Sequence, residues 1–183
     1  MYTKKINLPL TWYSLFSTCI YIGKLPASGT LASVLTYPIF YYITISCRSF
    51  FCIQFYLLLS ICLLFIIGIL AIHKLQIITN SSDHKYIVID EVIGQLVTLF
   101  FSSNYLSYII KITSINIPNN IASFGLSLII FRYFDIQKPL IISYINNHYK
   151  GSFGVILDDI ISGLLASFTI YITYLLVSLF ISY

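Results

Sequence analysis

Ten basic and six acidic side chains are spread over 183 residues, and where they fall decides what this chain can be. Between the lysines and arginines lie uncharged apolar runs at 25–47, 49–72, 92–110, 112–131 and 160–183. Each approaches the roughly 20 residues that span a bilayer's hydrocarbon as a helix. Pro26, and Pro118 with Asn119-Asn120, shorten two of the runs. The many β-branched residues do not argue for strands, because an open sheet in lipid would leave backbone groups unpaired. The expected fold is therefore all-α: a membrane helical bundle with four to five spanning or partly spanning helices. Residues 1–183 are expected to form a single domain, with no internal repeat and no linker to divide it.

The composition agrees. Hydrophobic residues make up 58% and charged residues 9%, against about 25% charged in soluble domains. A net charge of +4 in so apolar a chain suits anionic lipid or phosphate. No basic and aromatic stripe points to nucleic acid. Cys19, Cys47, Cys52 and Cys62 lack paired CxxC spacing, so they read as reduced packing residues rather than a zinc site or disulfide framework. Lys4-Lys5 and the apolar residues after them imitate a signal peptide, but Lys24 and the later apolar runs favour a retained, interfacial first segment carrying Trp12 and Tyr13. If Lys24 is cytoplasmic and every later run crosses, eight basic residues lie inside and two, Arg48 and Lys111, outside, as the positive-inside rule requires.

All six acids then fall on the cytoplasmic side, in three clusters: Asp83 with Asp90-Glu91, Asp135, and Asp158-Asp159. Ionisable groups at the edge of apolar spans are costly and tend to be functional. Asp90-Glu91 opens one run, and complementing a helix dipole would account for one such acid but fits two poorly. Arg132, Asp135 and Lys138 are spaced three apart, so they can share one side of a helix that Pro139 helps to end. That row is either a self-satisfied set of ion pairs or a pair of bases holding phosphate beside a carboxylate. Asp158-Asp159 follow Gly151 and Gly154 and precede another uncharged run. Two adjacent pairs of acids suggest a hard divalent cation bound by oxygen, most simply Mg²⁺. His73, His84 and His148 share no metal-ligand spacing and read as loop or interface residues, His84 being the first of the three expected to touch the site. No Cys precedes an Arg by six positions and no Asp-x-Asp occurs, which leaves metal-assisted attack of water on phosphorus.

Ile87-Val88-Ile89-Asp90-Glu91-Val92-Ile93-Gly94, Phe131-Arg132-Tyr133-Phe134-Asp135-Ile136-Gln137-Lys138-Pro139 and Gly151-Ser152-Phe153-Gly154-Val155-Ile156-Leu157-Asp158-Asp159 resemble, in order and spacing, the signature blocks of bacterial phosphatidylglycerophosphatase A. Gly23-Lys24-Leu25-Pro26-Ala27-Ser28-Gly29-Thr30-Leu31-Ala32-Ser33 resembles that family's N-terminal motif. The resemblance implies a Mg²⁺-dependent lipid phosphatase at the cytoplasmic face of the bacterial inner membrane. Such an enzyme removes the terminal phosphate of phosphatidylglycerophosphate to give phosphatidylglycerol. It also implies that Asp90, Glu91, Asp135, Asp158 and Asp159 are metal or water-activating carboxylates. Arg132 and Lys138 would hold phosphate, with Lys24 and Thr30 as further contacts. Ser28, Ala32 and Leu140-Ile141 depart from the family pattern, which leaves the charged groups intact but alters the first loop. The alternatives are a phosphatidyl transferase, whose Asp-Gly-x-x-Ala-Arg motif is absent, and a membrane scaffold whose charges pair only with one another.

Overall fold

The structure, a computed structural model, describes residues 10–79, 86–113, 116–139, 142–144, 148–149 and 151–181. Lys4-Lys5, Asp83, His84, Lys85, Lys150 and Leu140-Ile141 lie outside the described residues. Within them all regular structure is helical: α1 (Trp12–Ser17), a 3₁₀ turn (Ile22–Lys24), α2 (Ser28–Val34), α3 (Thr36–Ser46), α4 (Phe50–Thr79), α5 (Ile89–Ile112), α6 (Asn119–Gln137) and α7 (Gly151–Ile181).

Three of these, α4, α5 and α7, are long and apolar enough to cross a membrane. The run at 25–47 is not one helix but two. Pro38 is the third residue of α3, where its missing N–H cannot continue a ladder from Val34 and its ring crowds that carbonyl. The eleven residues left in α3 reach only about 16 Å at 1.5 Å per residue, half the hydrocarbon thickness. α6 starts directly after Pro118, whose carbonyl accepts from the Ile121 and Ala122 amides, and it carries Arg132 and Asp135 in its last two turns. With six residues, α1 is also too short to cross.

α5 is the central helix. Its residues from Val92 to Leu99 are all buried, as a helix enclosed on every side requires. α7, α6, α4 and the short α2 pack around it. α4, by contrast, shows Phe51, Phe55, Ile66 and Ile77 to the outside, a face suited to lipid. Mid-helix hydroxyls in this apolar interior bond back one turn: Thr98 Oγ1 to the Gly94 carbonyl at 3.0 Å, Ser162 Oγ to Asp158 at 2.8 Å and Ser167 Oγ to Gly163 at 2.7 Å. That habit lets them sit where no water can satisfy them.

Two small-residue contacts set the geometry around α5. At the α5–α7 crossing, a Cβ on Gly163 would lie 2.5 Å from the Gly94 carbonyl oxygen, and one on Gly94 2.7 Å from that of Asp159. Only hydrogen fits there, so the two backbones meet directly, as small residues allow between membrane helices. Near the N-terminus, the Val88 amide donates to the Ser17 carbonyl at 3.0 Å, and Gly23 sits against the Tyr86 backbone. The N-terminal segment is thereby tied to the start of α5.

Cys47 and Cys52 are joined as a disulfide across the turn between α3 and α4, with Cα atoms 5.6 Å apart. This corrects the expectation that all four cysteines are reduced. Five positions apart they form no motif, but the reversal of the chain between two antiparallel helices brings them within bridging reach. Cys19 and Cys62 remain free thiols.

Candidate active site

Asp90 and Glu91 sit in the first turn of α5, and Asp159 reaches them from α7 across the Gly94–Gly163 contact. One carboxylate oxygen from each lies within 4.8 Å of the other two. Asp90 Oδ1, Glu91 Oε2 and Asp159 Oδ2 are buried and have no hydrogen-bond partner among the described residues. Three carboxylates brought together from two helices, each with a buried oxygen left unpaired, are costly unless a cation completes them. The donor set is all oxygen, the preference of a hard divalent ion, so these residues fit the Mg²⁺ that the resemblance implies.

Asp135 and Asp158 stand beside this trio and are engaged differently. Arg132 Nη1 donates to Asp135 Oδ2, and Lys138 Nζ donates to Asp158 Oδ2. Both acids are nearly buried, 8% and 4% exposed, so their bases are close partners rather than solvated neighbours. The five carboxylates form one electrostatic cluster: Asp90 feels Asp158 and Asp135, and Asp159 feels Asp90, Asp135, Glu91 and Asp158.

Lys138 does not extend a helical row from Arg132 and Asp135. It is the C-cap of α6 in the left-handed conformation, φ 40°, because Pro139 disfavours a further helical turn. That bend carries its ammonium across to α7. Burial pulls the Lys138 pKa down, but the Asp158 hydrogen bond and the charges of Asp158, Asp159 and Asp135 outweigh it, so the group is held above the ordinary lysine value.

Nor do Asp158 and Asp159 mark a helix start, since α7 begins at Gly151 and the pair lies two turns inside it. Dipole complementation therefore cannot explain them.

The N-terminal block closes the site through Gly29. A Cβ there would meet Glu91 Oε1 and would lie 2.9 Å from both Arg132 Nη atoms. Lys24 is exposed, with Nζ 4.3 Å from the centre of the Tyr21 ring, and nothing ties it to the carboxylates. Thr30, next to Gly29, is half-buried, and among the described residues no hydrogen bond joins its side chain to the acids. Arg132 keeps a buried Nε without a partner among the described residues, a donor that a ligand anion could take up. His73 is exposed on α4, and His148 Nδ1 bonds the Tyr144 carbonyl.

Two further residues shape the site without sequence signals of their own. Cys19 lies in a run of three left-handed residues, Cys19, Ile20 and Tyr21. Burial, and then the charges of Asp90 and Glu91, push its thiol up to about 12. Gln95, fully buried one turn beyond Glu91, donates from Nε2 to Ser127 Oγ at 2.9 Å. That bond clamps α5 to α6, the helix bearing Arg132 and Asp135. An uncharged Gln in an apolar run carries no pattern, and its partner is 32 residues away.

No solved structure matches this chain. A phosphatidylglycerophosphatase A of Escherichia coli is 28% identical over 144 residues, covering 78% of this chain and 72% of that protein. One from Haemophilus influenzae is 28% identical over 109 residues, covering 60% and 58% respectively. The model of the family Phosphatidylglycerophosphatase A matches residues 15–174. That span holds every residue of the site above, so the chain belongs to the phosphatidylglycerophosphatase A family.

Proposed function

We propose that this protein hydrolyses the terminal phosphate of phosphatidylglycerophosphate to give phosphatidylglycerol, with its site at the cytoplasmic face of a bacterial inner membrane that the chain crosses several times. The observation that carries this reading is the convergence of Asp90, Glu91 and Asp159 oxygens within 4.8 Å, beside two cations on a neighbouring helix end. Asp90, Glu91 and Asp159 would hold Mg²⁺, with Asp135 and Asp158 flanking it. Bound there, the ion supplies charge neutralisation for a phosphate ester and its water.

The chain's own groups do the rest. Arg132, fixed by Asp135, offers Nε and a planar fork to a phosphate oxygen. Lys138 adds a point charge that stays cationic at neutral pH. Water attacks phosphorus as the bond to the glycerol oxygen breaks, its proton passing to a carboxylate of the cluster and the leaving alkoxide taking up a proton. Placing this cluster at the start of α5, the end of α6 and two turns into α7 suits a substrate whose acyl chains stay in the bilayer while its head group reaches the site.

The test is inorganic phosphate release from phosphatidylglycerophosphate by the purified full chain in mixed micelles. Release that requires Mg²⁺, stops with a chelator, and is lost in Asp90→Asn and Asp159→Asn while both proteins still insert is the expected result. Turnover retained in both variants rejects the site. Release of a nucleotide instead of phosphate identifies a transferase, and no turnover at all leaves the scaffold reading. Orientation is read separately, by labelling a cysteine placed at Lys24 with an impermeant maleimide from either side of oriented vesicles.

A further inference from the structure

About 13 to 17 residues beyond Asp90 along α5, some 20 to 25 Å at 1.5 Å per residue, the bundle opens into a cavity of about 460 Å³. Its volume is in the range of small-molecule sites, roughly 300–1,000 Å³. Its two walls differ chemically. α3 and α4 contribute Phe40, Ile45, Phe50 and Ile53, with Thr44, whose hydroxyl is spent on the Tyr41 carbonyl at 2.8 Å. α5 and α6 contribute Ser103, Asn104, Ser107, Asn119, Asn120 and Ser123, every one a hydroxyl or carboxamide and none charged.

Ser123 is the independent sign of a ligand. It is 2% exposed and lines the cavity, yet its Oγ has no hydrogen-bond partner among the described residues. The neighbouring Asn119 Nδ2 donates to Ser107 Oγ at 3.1 Å, bracing the polar wall. A buried hydroxyl without a partner is left desolvated and unpaired, a cost that a ligand hydroxyl removes.

We propose that this cavity binds a neutral amphiphile: an acylated polyol of the monoacylglycerol type, its hydroxyls against Ser123, Ser103 and Asn104 and its alkyl chain along Phe40, Ile45 and Ile53. An anionic head is excluded by chemistry, because no lining residue carries a positive charge to offset its desolvation. A free polyol leaves the aromatic wall unused. The site is separate from the carboxylate cluster, and its occupancy is independent of the reaction proposed there.

The full chain is reconstituted in phosphatidylcholine vesicles with a diazirine-bearing monoacylglycerol, irradiated, and the labelled residues are mapped by mass spectrometry. Labels are expected on the cavity-lining segments of α3, α5 and α6. Excess monoolein should suppress them, and equal concentrations of free glycerol or lysophosphatidylglycerol should not. Ser123→Val should lower labelling about fivefold to tenfold, the worth of one hydrogen bond. Should that variant fail to insert, Asn104→Leu, at an exposed position, is expected to do the same. The proposal is overturned by labels confined to the outer face of α4, by labelling indifferent to both substitutions, or by glycerol or the anionic lipid competing as well as monoolein.

Discussion

Gly94→Ala adds one uncharged methyl group at the α5–α7 crossing and removes no polar group, yet it should disable the site. The new Cβ would lie 2.7 Å from the Asp159 carbonyl oxygen and 2.7 and 2.8 Å from two ring carbons of Phe131. Unbonded carbons rest at about 3.5–4.0 Å, so α7 and the Phe131 end of α6 must each retreat by about 1 Å. Both neighbours are pinned. Phe131 is fully buried, and Asp159 is held to α5 from the other side by Gly163, whose own clearance from the Gly94 carbonyl is as small. The retreat moves Asp159 away from Asp90 and Glu91, and shifts Arg132 with Phe131. Misplacement of about 1 Å at a reacting centre costs on the order of 10²-fold in rate, while overpacking costs about 1–3 kcal/mol of stability.

The assay is initial rate of phosphate release in micelles, alongside circular dichroism and thermal unfolding. Gly125→Ala is the matched control: nothing lies within 4 Å of a Cβ there, and alanine favours the helix by about 1 kcal/mol. It should leave the rate unchanged and the stability equal or higher. A Gly94→Ala protein that is fully helical and within about threefold of wild type would show that site geometry does not depend on the α5–α7 approach.

Gln95→Leu should slow turnover more than it destabilises the fold, because removing the bond to Ser127 costs only about 0.6–2 kcal/mol in a membrane bundle but loosens α6 against α5; a thermal melt and a kcat against KM comparison check it. Lys138→Met should leave Asp158 buried without its partner and weaken phosphate binding, read as a raised KM. Because the Lys138 pKa is raised in the fold, its contribution to stability is complete below the ordinary lysine value of about 10.4. That contribution fades only as pH climbs through the higher folded value, so melting temperature at pH 7 to 9 should not respond to it. Cys19, with its thiol near 12, should resist maleimide at pH 8 until the protein is denatured. Mass-tagging after denaturation without reductant should count two thiols, Cys19 and Cys62, and four after reduction. A count of four without reductant would remove the Cys47–Cys52 bridge.

Much of this protein is legible along the chain because lipid is an unforgiving solvent. An apolar run of this length must satisfy its own backbone, so helices follow, and the few ionised side chains stand out against them. Hence the all-α class, the three acidic clusters and the two bases could be named from residue order alone. Spacing misleads where a turn intervenes. Arg132, Asp135 and Lys138 look like one row, but Pro139 and a left-handed Lys138 send the lysine to Asp158 on another helix. Pro38 divides what reads as a single span, and a reversal of the chain pairs Cys47 with Cys52. What only the tertiary structure decided is which acids converge: Asp90, Glu91 and Asp159 meet because Gly94 and Gly163 let two backbones touch, 69 positions apart. Local order specifies which residues are costly to bury, but their partners depend on where two helices cross, and that is settled by the absence of side chains at the crossing.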